Sequence, residues 1–128
     1  MIALAPLVQD SLLTWADRAA PLEACGLLFG HVRGGAGHIA EASLCVNTAP
    51  EPDQFAIPAE DLLRHGRDPR WVGVWHSHPK GPARLSQRDR RAAQAWPRLL
   101  HVLVVPPQQV LVFASAAEGL APLPHAAP

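Results

Sequence analysis

The sequence lacks an excess of charge of either sign. Eleven lysine and arginine residues stand against eleven aspartate and glutamate residues, which gives a formal net charge of +0. Partners that attract a basic surface, such as nucleic acid or an anionic membrane, are therefore not expected. Long apolar runs are also missing, and none approaches the roughly 20 residues of a bilayer-spanning helix. The first ten residues, MIALAPLVQD, have no basic start, so we expect no secretory signal and a cytoplasmic protein.

Cysteine is scarce as well. Cys25 and Cys45 are the only two, and their spacing fits neither a zinc knuckle nor a CxxC redox pair. Free cysteine packs as a small apolar side chain, which predicts two buried thiols on neighbouring strands. A disulfide between them stays open as an alternative, although the cytosol disfavours it.

Apolar residues make up 48% of the 128 residues, and charged residues 17%. This balance predicts one globular domain with a single core. The hydrophobic spacing predicts helices over 4–19, from Pro58 and from Ser86, and strands over 24–32, 38–46, 71–78 and, as a second hairpin, 99–115. The order α-β-β-α-β-α-β-β favours an α/β fold with a mixed β-sheet flanked by helices. We assign the domain to residues 1–120 and expect residues 121–128 to be a frayed tail.

The stretch HSHPKGPARLSQRD, residues 76–89, groups two histidines, a serine and an aspartate. On the predicted strand, His76 and His78 point to the same face with Cα atoms about 6.5 Å apart. Imidazoles at this spacing can tilt to bind one zinc ion. Asp89 is the candidate third ligand, because the loop 79–85 is long enough to fold the next helix back. Three protein ligands and one water make an open, catalytic zinc site.

The same residues also have a purely structural interpretation. An isolated His-x-His pair is common by chance, and Ser86-x-x-Asp89 is a capping box at a helix start. The two interpretations agree for Ser86 but compete for Asp89, because a carboxylate bound to zinc is expected to be unavailable for capping. His101 is a rival ligand, which we interpret instead as a buried histidine with a backbone partner. A cupin would need a glutamate soon after the histidines, and none occurs between Glu60 and Glu118.

The combined pattern of His-x-His, seven residues, serine, two residues and aspartate resembles the signature of the JAMM (MPN-plus, Mov34/PAD-1) zinc metalloprotease family. That family places a glutamate where its first helix meets its first strand, and PLEACGLLFG offers Glu23 there. The order of predicted elements is similar over nearly the whole chain. The resemblance is to the small, stand-alone prokaryotic type. It implies a single-domain MPN (cytidine-deaminase-like) fold, with residues 1–120 as the catalytic domain.

The resemblance also implies roles for individual residues. The zinc ligands would be His76, His78 and Asp89. One zinc ion would bind per chain, with a water in the fourth position. Glu23 would take a proton from that water and pass it to the leaving amine, and Ser86 would donate a hydrogen bond to the oxyanion. Ser77 points away from the ligands on either side of it, and we interpret it as a supporting hydrogen-bonding residue.

JAMM enzymes hydrolyse amide bonds that follow a C-terminal Gly-Gly. The resemblance thus implies a ubiquitin-like or sulfur-carrier protein as substrate, from which an extension, a cysteine or a lysine-linked target is removed. We predict that the extended segment 52–57 pairs with the substrate tail and that Phe55 contacts it. The insertions by which some eukaryotic relatives grip ubiquitin chains are missing, so linkage specificity stays open, as does the oligomeric state. A RadC-like protein and a non-catalytic MPN metal-binding or interaction domain remain alternatives.

Overall fold

One mixed sheet organises the chain in the computed structural model, which describes residues 1–116, 119–123 and 125–126. The elements in chain order are β1 (Ile2–Leu4), α1 (Pro6–Ala19), β2 (Cys25–Arg33), β3 (Ala36–Ala42), α2 (Ala59–His65), β4 (Trp71–Ser77), α3 (Gln87–Ala93), β5 (Leu100–Val105), β6 (Gln109–Ala116), β7 (Gly119–Leu123) and β8 (His125–Ala126). The eight strands of the described residues lie in the order β7-β6-β5-β4-β2-β3-β1-β8. Strand β4, which carries the histidine pair, therefore lies in the middle of the sheet.

The predicted α/β fold with a mixed sheet is confirmed. Strand β2 pairs antiparallel with β3 on one side and β4 on the other, whereas β4 pairs parallel with β5. Parallel neighbours need a crossover connection, and α3 lies in the segment that makes it. This crossover brings the start of α3 back beside the end of β4. No helix among the described residues is long and apolar enough to cross a bilayer.

The two ends of the chain differ from the sequence-based expectation. The helix predicted from residue 4 begins at Pro6, because proline suits the first turn of a helix, and Ile2–Leu4 instead pairs with β3. The tail expected to fray over 121–128 contributes residues to β7, which pairs with β6, and to β8, which pairs with β1. Residues 124, 127 and 128 lie outside the described residues. The described residues of this segment, 121–123 and 125–126, pair with sheet edges, and local sequence carries no signal for such pairing.

Helix α1 covers one face of the sheet. Its buried residues Val8, Leu12 and Ala16 follow a spacing of four, which places them on one side of the helix. Trp15 stacks on Trp75 of β4, with ring centroids 5.8 Å apart and planes 20° apart. Trp75 thus points toward α1, and because side chains alternate along a strand, His76 points to the opposite face.

The opposite face carries a second apolar cluster beneath α2 and the loop that precedes it. Cys25, Leu27 and Val74 from the sheet pack there against Phe55 and Leu62. This layer supplies the apolar floor of the histidine site.

The cysteine prediction is confirmed, because both thiols are free and buried and their residues form an isolated antiparallel bridge. The bridge belongs to a close approach between β2 and residues 43–45. A Cβ atom at Gly26 would lie 1.8 Å from the Ser43 carbonyl oxygen, so glycine is required there.

Candidate metal centre

Three side chains meet where β4 ends and α3 begins. His76 and His78 bring their Nε2 atoms to within 3.3 Å of each other. The Oδ2 atom of Asp89 lies 3.1 Å from the Nε2 atom of each histidine. The side chains of all three residues are at most 10% exposed. The loop 79–85 thus folds back and brings Asp89, the predicted third ligand, beside the two histidines.

The spacing of these three atoms fits one ion. In a tetrahedral zinc site with bonds of about 2.0–2.1 Å, ligand atoms lie about 3.3–3.4 Å apart. The observed separations of 3.1, 3.1 and 3.3 Å are close to the edges of such a tetrahedron. Two imidazole nitrogens and a carboxylate oxygen are also donors that zinc accepts. The residues present thus fit a small divalent cation, and a fourth position is left for a water or substrate.

Each imidazole has a contact that fixes its orientation, a hydrogen bond for His78 and a stacked ring for His76. The Nδ1–H group of His78 donates to the carbonyl oxygen of Pro82 at 2.9 Å, because a carbonyl can only accept. In neutral His78, this bond selects the tautomer whose Nε2 lone pair is available to a metal. The ring of Phe55 stacks on that of His76, with centroids 4.2 Å apart and planes 13° apart.

Asp89 acts as both cap and neighbour of the histidines. Its backbone N–H donates to Ser86 Oγ at 3.0 Å, and its Oδ2 atom accepts from the Ser86 N–H at 2.9 Å, which completes a capping box. The same Oδ2 atom faces both histidines. The capping interpretation is thus confirmed, and the expected competition with ligation stays a prediction, because a carboxylate oxygen has lone pairs for both a cap bond and an ion. The cap aims the carboxylate at the histidines.

The protonation states are set by burial and by these contacts. Burial lowers the pKa of His76 and leaves it neutral. Burial also lowers the pKa of His78, but hydrogen bonds with Asp89 and with the Pro82 carbonyl outweigh it and leave the pKa raised. Burial alone would raise the pKa of Asp89, yet hydrogen bonds from both imidazoles hold it well below its usual range. An ionised carboxylate is the form that binds a metal.

Glu23 lies beside the histidines, just before β2. Its side chain and those of His76 and His78 offer ligand atoms that all lie within 4.8 Å of one another. Glu23 is 7% exposed, and its Oε1 atom has no hydrogen-bond partner among the described residues. Burial, partly offset by the charge of His78, raises its pKa from 4.5 to about 7. A buried carboxyl without a partner beside two imidazoles fits a group that exchanges protons near neutral pH.

Ser77 does not contact either histidine ring. Its hydroxyl oxygen accepts the Ala24 N–H at 2.8 Å, and its own N–H donates to the Ala24 carbonyl oxygen at 3.0 Å. These two bonds hold the residue after Glu23 against the strand that carries the histidines.

A cavity of about 570 Å³ opens over this group and is lined by Glu23, His78 and Ser86, among others. Ser86 is exposed, and although its oxygen accepts the cap bond, its O–H remains able to donate. The cavity is also lined by Asp53, which is acidic, and by Lys80, which is basic.

His101, the rival ligand, is buried and has a hydrogen bond with the Trp96 backbone, as predicted. Burial lowers its pKa, and among the described residues its Nε2 atom has no hydrogen-bond partner. It does not belong to the Glu23–His76–His78 group. Asn47, which the sequence did not mark as a site residue, makes four hydrogen bonds with backbone groups, one of them with the Glu23 carbonyl oxygen and three within residues 49–56. A lone asparagine before a proline-rich loop gives no signal for such a role.

Comparison with known proteins identifies the class to which this fold and site belong. The sequence profile of Prok-JAB, the prokaryotic homologs of the JAB domain, matches residues 6–116. The chain belongs to this family, and the resemblance to the JAMM/MPN proteins is confirmed.

Two solved structures have the same fold. A protein of Desulfitobacterium hafniense is 28% identical, with a TM-score of 0.85 over 100% of this chain and 93% of its own. A protein of Salinibacter ruber is 25% identical, with a TM-score of 0.68 over 98% of this chain and 91% of its own. None of the functionally curated proteins compared with the sequence matches it.

Proposed function

We propose that this chain is a zinc-dependent metallopeptidase that hydrolyses the amide bond after the C-terminal Gly-Gly of a ubiquitin-like or sulfur-carrier protein. The observation that carries the proposal is the group of His76, His78 and Asp89 atoms at tetrahedral spacing, with the unpartnered oxygen of Glu23 beside it. Membership of a family that includes metalloproteases supports it.

The chain's own residues divide the chemistry among them. His76, His78 and Asp89 would hold one zinc ion per chain, and bound zinc supplies a water whose pKa is lowered to about 7. Glu23, with a pKa raised to about 7, would take a proton from the attacking water near neutral pH and pass it to the leaving amine. The Ser86 hydroxyl donates to the carbonyl oxygen as negative charge develops there.

The loop that carries Phe55 supports binding of an extended tail. Within this loop, the Thr48 N–H donates to the Ala56 carbonyl, and the Ala56 N–H donates to the Asn47 side chain. Residue 56 is thus bonded within the loop, whereas the Phe55 backbone has no hydrogen bond among the described residues, which leaves its N–H and carbonyl available for strand addition. A Gly-Gly tail has no side chains, and a narrow cleft would admit it and reject bulkier sequences. The expected location is cytoplasmic, where such carriers act.

The reaction is tested with purified protein, zinc and carrier proteins that end in Gly-Gly plus an extension. Mass spectrometry of the carrier should show loss of the extension after the second glycine, and a strong chelator should stop it. Glu23→Gln should keep about one zinc per chain but lose hydrolysis, whereas His78→Ala and Asp89→Ala should lose both. Glu60→Gln, an exposed carboxylate on α2, is the matched control.

Substantial hydrolysis by Glu23→Gln would contradict the mechanism. Stoichiometric zinc without hydrolysis of any Gly-Gly carrier would instead favour a non-catalytic or RadC-like metal-binding domain. Phe55→Ala should weaken binding of the carrier tail to the Glu23→Gln protein. Unchanged affinity would remove Phe55 from the binding site.

A further inference from the structure

Asn47 uses the full hydrogen-bonding capacity of its side chain. Its Nδ2 group donates to the Glu23 carbonyl oxygen at 2.9 Å and to the Gln54 carbonyl oxygen at 2.8 Å. Its Oδ1 atom accepts the N–H groups of Ala49 at 2.9 Å and Ala56 at 3.0 Å. An amide side chain has two donor hydrogens and two acceptor positions, so none is left over. The two N–H donors and the two carbonyls also fix which end of the amide is oxygen.

The segment that Asn47 holds forms a wall of the proposed site. This segment, residues 49–55, is called the cleft loop below. Pro52 of the cleft loop lines both the 570 Å³ cavity over the histidines and a neighbouring cavity of about 780 Å³, and Glu23 lines both as well. Phe55, at the other end of the cleft loop, stacks on His76. The cleft loop and Glu23 thus meet where the two cavities join.

The contact of Asn47 with Glu23 falls on one particular peptide group. The carbonyl oxygen of the Glu23–Ala24 peptide accepts from Asn47, and the N–H of the same peptide donates to Ser77 Oγ at 2.8 Å. The side chains of Asn47 and Ser77, which are 30 positions apart in the sequence, therefore hold both polar atoms of one peptide plane. Ser77 ties that plane to the histidine strand, and Asn47 ties it to the cleft loop.

We infer that Asn47 is a positioning residue, which fixes the Glu23–Ala24 peptide and the cleft loop as one unit so that the Glu23 carboxyl stays aimed at the histidines. The Glu23 oxygen that lacks a partner of its own gains no direction from a side-chain hydrogen bond. Among the described residues, the hydrogen bonds that locate Glu23 are therefore those of the peptide beneath its side chain. The inference rests on the proposed function for its kinetic consequence, but its structural part can be tested without any substrate.

The variants Asn47→Asp and Thr48→Val separate this role from simple anchoring of the loop. Aspartate has the shape of asparagine and keeps acceptors for the Ala49 and Ala56 N–H groups, but it cannot donate to Glu23 or Gln54. The Thr48 hydroxyl donates to the Ala56 carbonyl oxygen at 3.2 Å, so valine removes a bond of the same loop without touching the Glu23–Ala24 peptide. Thr48→Val is therefore the matched control.

The first measurement is amide hydrogen exchange of the whole folded chain by NMR. In Asn47→Asp, the Ala24 amide should exchange faster than in the wild type, while the Ala49 and Ala56 amides stay protected. Thr48→Val should leave Ala24 unchanged. Unchanged exchange at Ala24 in Asn47→Asp, or equal acceleration in both variants, would overturn the inference whether or not the chain is a hydrolase.

The second measurement is steady-state kinetics on a carrier with a Gly-Gly extension. Asn47→Asp should lower kcat by about 100-fold with little change in KM, since displacing a catalytic group by about 1 Å costs that much. Thr48→Val should lower kcat far less. A wild-type protein that cleaves nothing would refute the proposed function and leave the exchange experiment to decide on Asn47. Equal falls in kcat for the two variants would reduce Asn47 to a loop anchor and overturn the inference.

Discussion

Glu23 combines burial, an oxygen without a partner and a raised pKa. Its nearest ionisable neighbours are the candidate metal ligands, and a carboxyl in such surroundings is costly to ionise. Proteins retain costly groups of this kind mainly where chemistry needs them. The cost of ionising this single residue can be measured as a change in the free energy of unfolding.

We expect Glu23→Gln to stabilise the chelator-treated protein at alkaline pH. The pKa of Glu23 rises from 4.5 to about 7 in the folded state, so folding favours the protonated form between these values. Its contribution to stability is full below pH 4.5 and is lost as pH rises to about 7. The glutamine variant stays neutral throughout. Urea unfolding at pH 8 should therefore show a gain of about 1–2 kcal/mol, allowing for partial solvent screening.

The same comparison at pH 4 should show no such gain. Glu60→Gln serves again as the exposed control. A gain that is as large at pH 4 as at pH 8 would mean that glutamine stabilises the site for reasons other than charge.

Helix α3 is the element on which structural and chemical roles coincide. Ser86 accepts a bond from the first turn and keeps a hydroxyl hydrogen for the cleft, and Asp89 caps the helix while facing both histidines. A helix of seven residues has little stability of its own, so its cap matters for where its first turn lies.

Substitution of Ser86 by alanine or glycine should separate these two roles. Alanine at an N-cap costs about 1 kcal/mol, whereas glycine costs only a few tenths. Both variants lack the hydroxyl, so both should lose about 100-fold or more in kcat. Urea unfolding and kinetics on the same preparations check this. If activity followed helix stability, with the glycine variant close to wild type, Ser86 would act through the cap alone.

The elements near the site could largely be predicted from the sequence, because their signals are local. Alternation along β4 places His76 and His78 on one face, and the Ser86-x-x-Asp89 spacing marks a helix start. Strand β1 and the strands formed by the tail could not be predicted, since two to five residues form a strand only where a sheet edge accepts them. The role of Asn47 could not be predicted for a similar reason, because one of its hydrogen-bond partners, Glu23, is 24 positions away in sequence.

For the whole molecule, the candidate metal centre joins the end of strand β4 to the start of helix α3. Two of the proposed ligands come from the end of β4 and the third from α3, eleven positions later than His78. An ion held there would bind the folded chain more tightly than the unfolded one, and this difference in binding free energy would add to the stability of the entire domain.

Zinc should therefore raise the melting temperature of the chelator-treated protein. At a free concentration of 1,000 times Kd, the expected stabilisation is about 4 kcal/mol. Differential scanning calorimetry with and without zinc measures the shift. His78→Ala should show no zinc-dependent shift, and a shift of the same size in that variant would place the bound zinc elsewhere.

The hydrogen bond between Ser77 and Ala24 joins residues 53 positions apart. It ties the residue after Glu23 to the strand that carries the histidines. A zinc finger gathers its ligands locally and folds around its ion. Here the three candidate ligands are also close in sequence, but Glu23, the proposed acid–base residue, can reach them only after β2 has docked along β4. The complete arrangement of ligands and carboxyl therefore exists only once the sheet has formed.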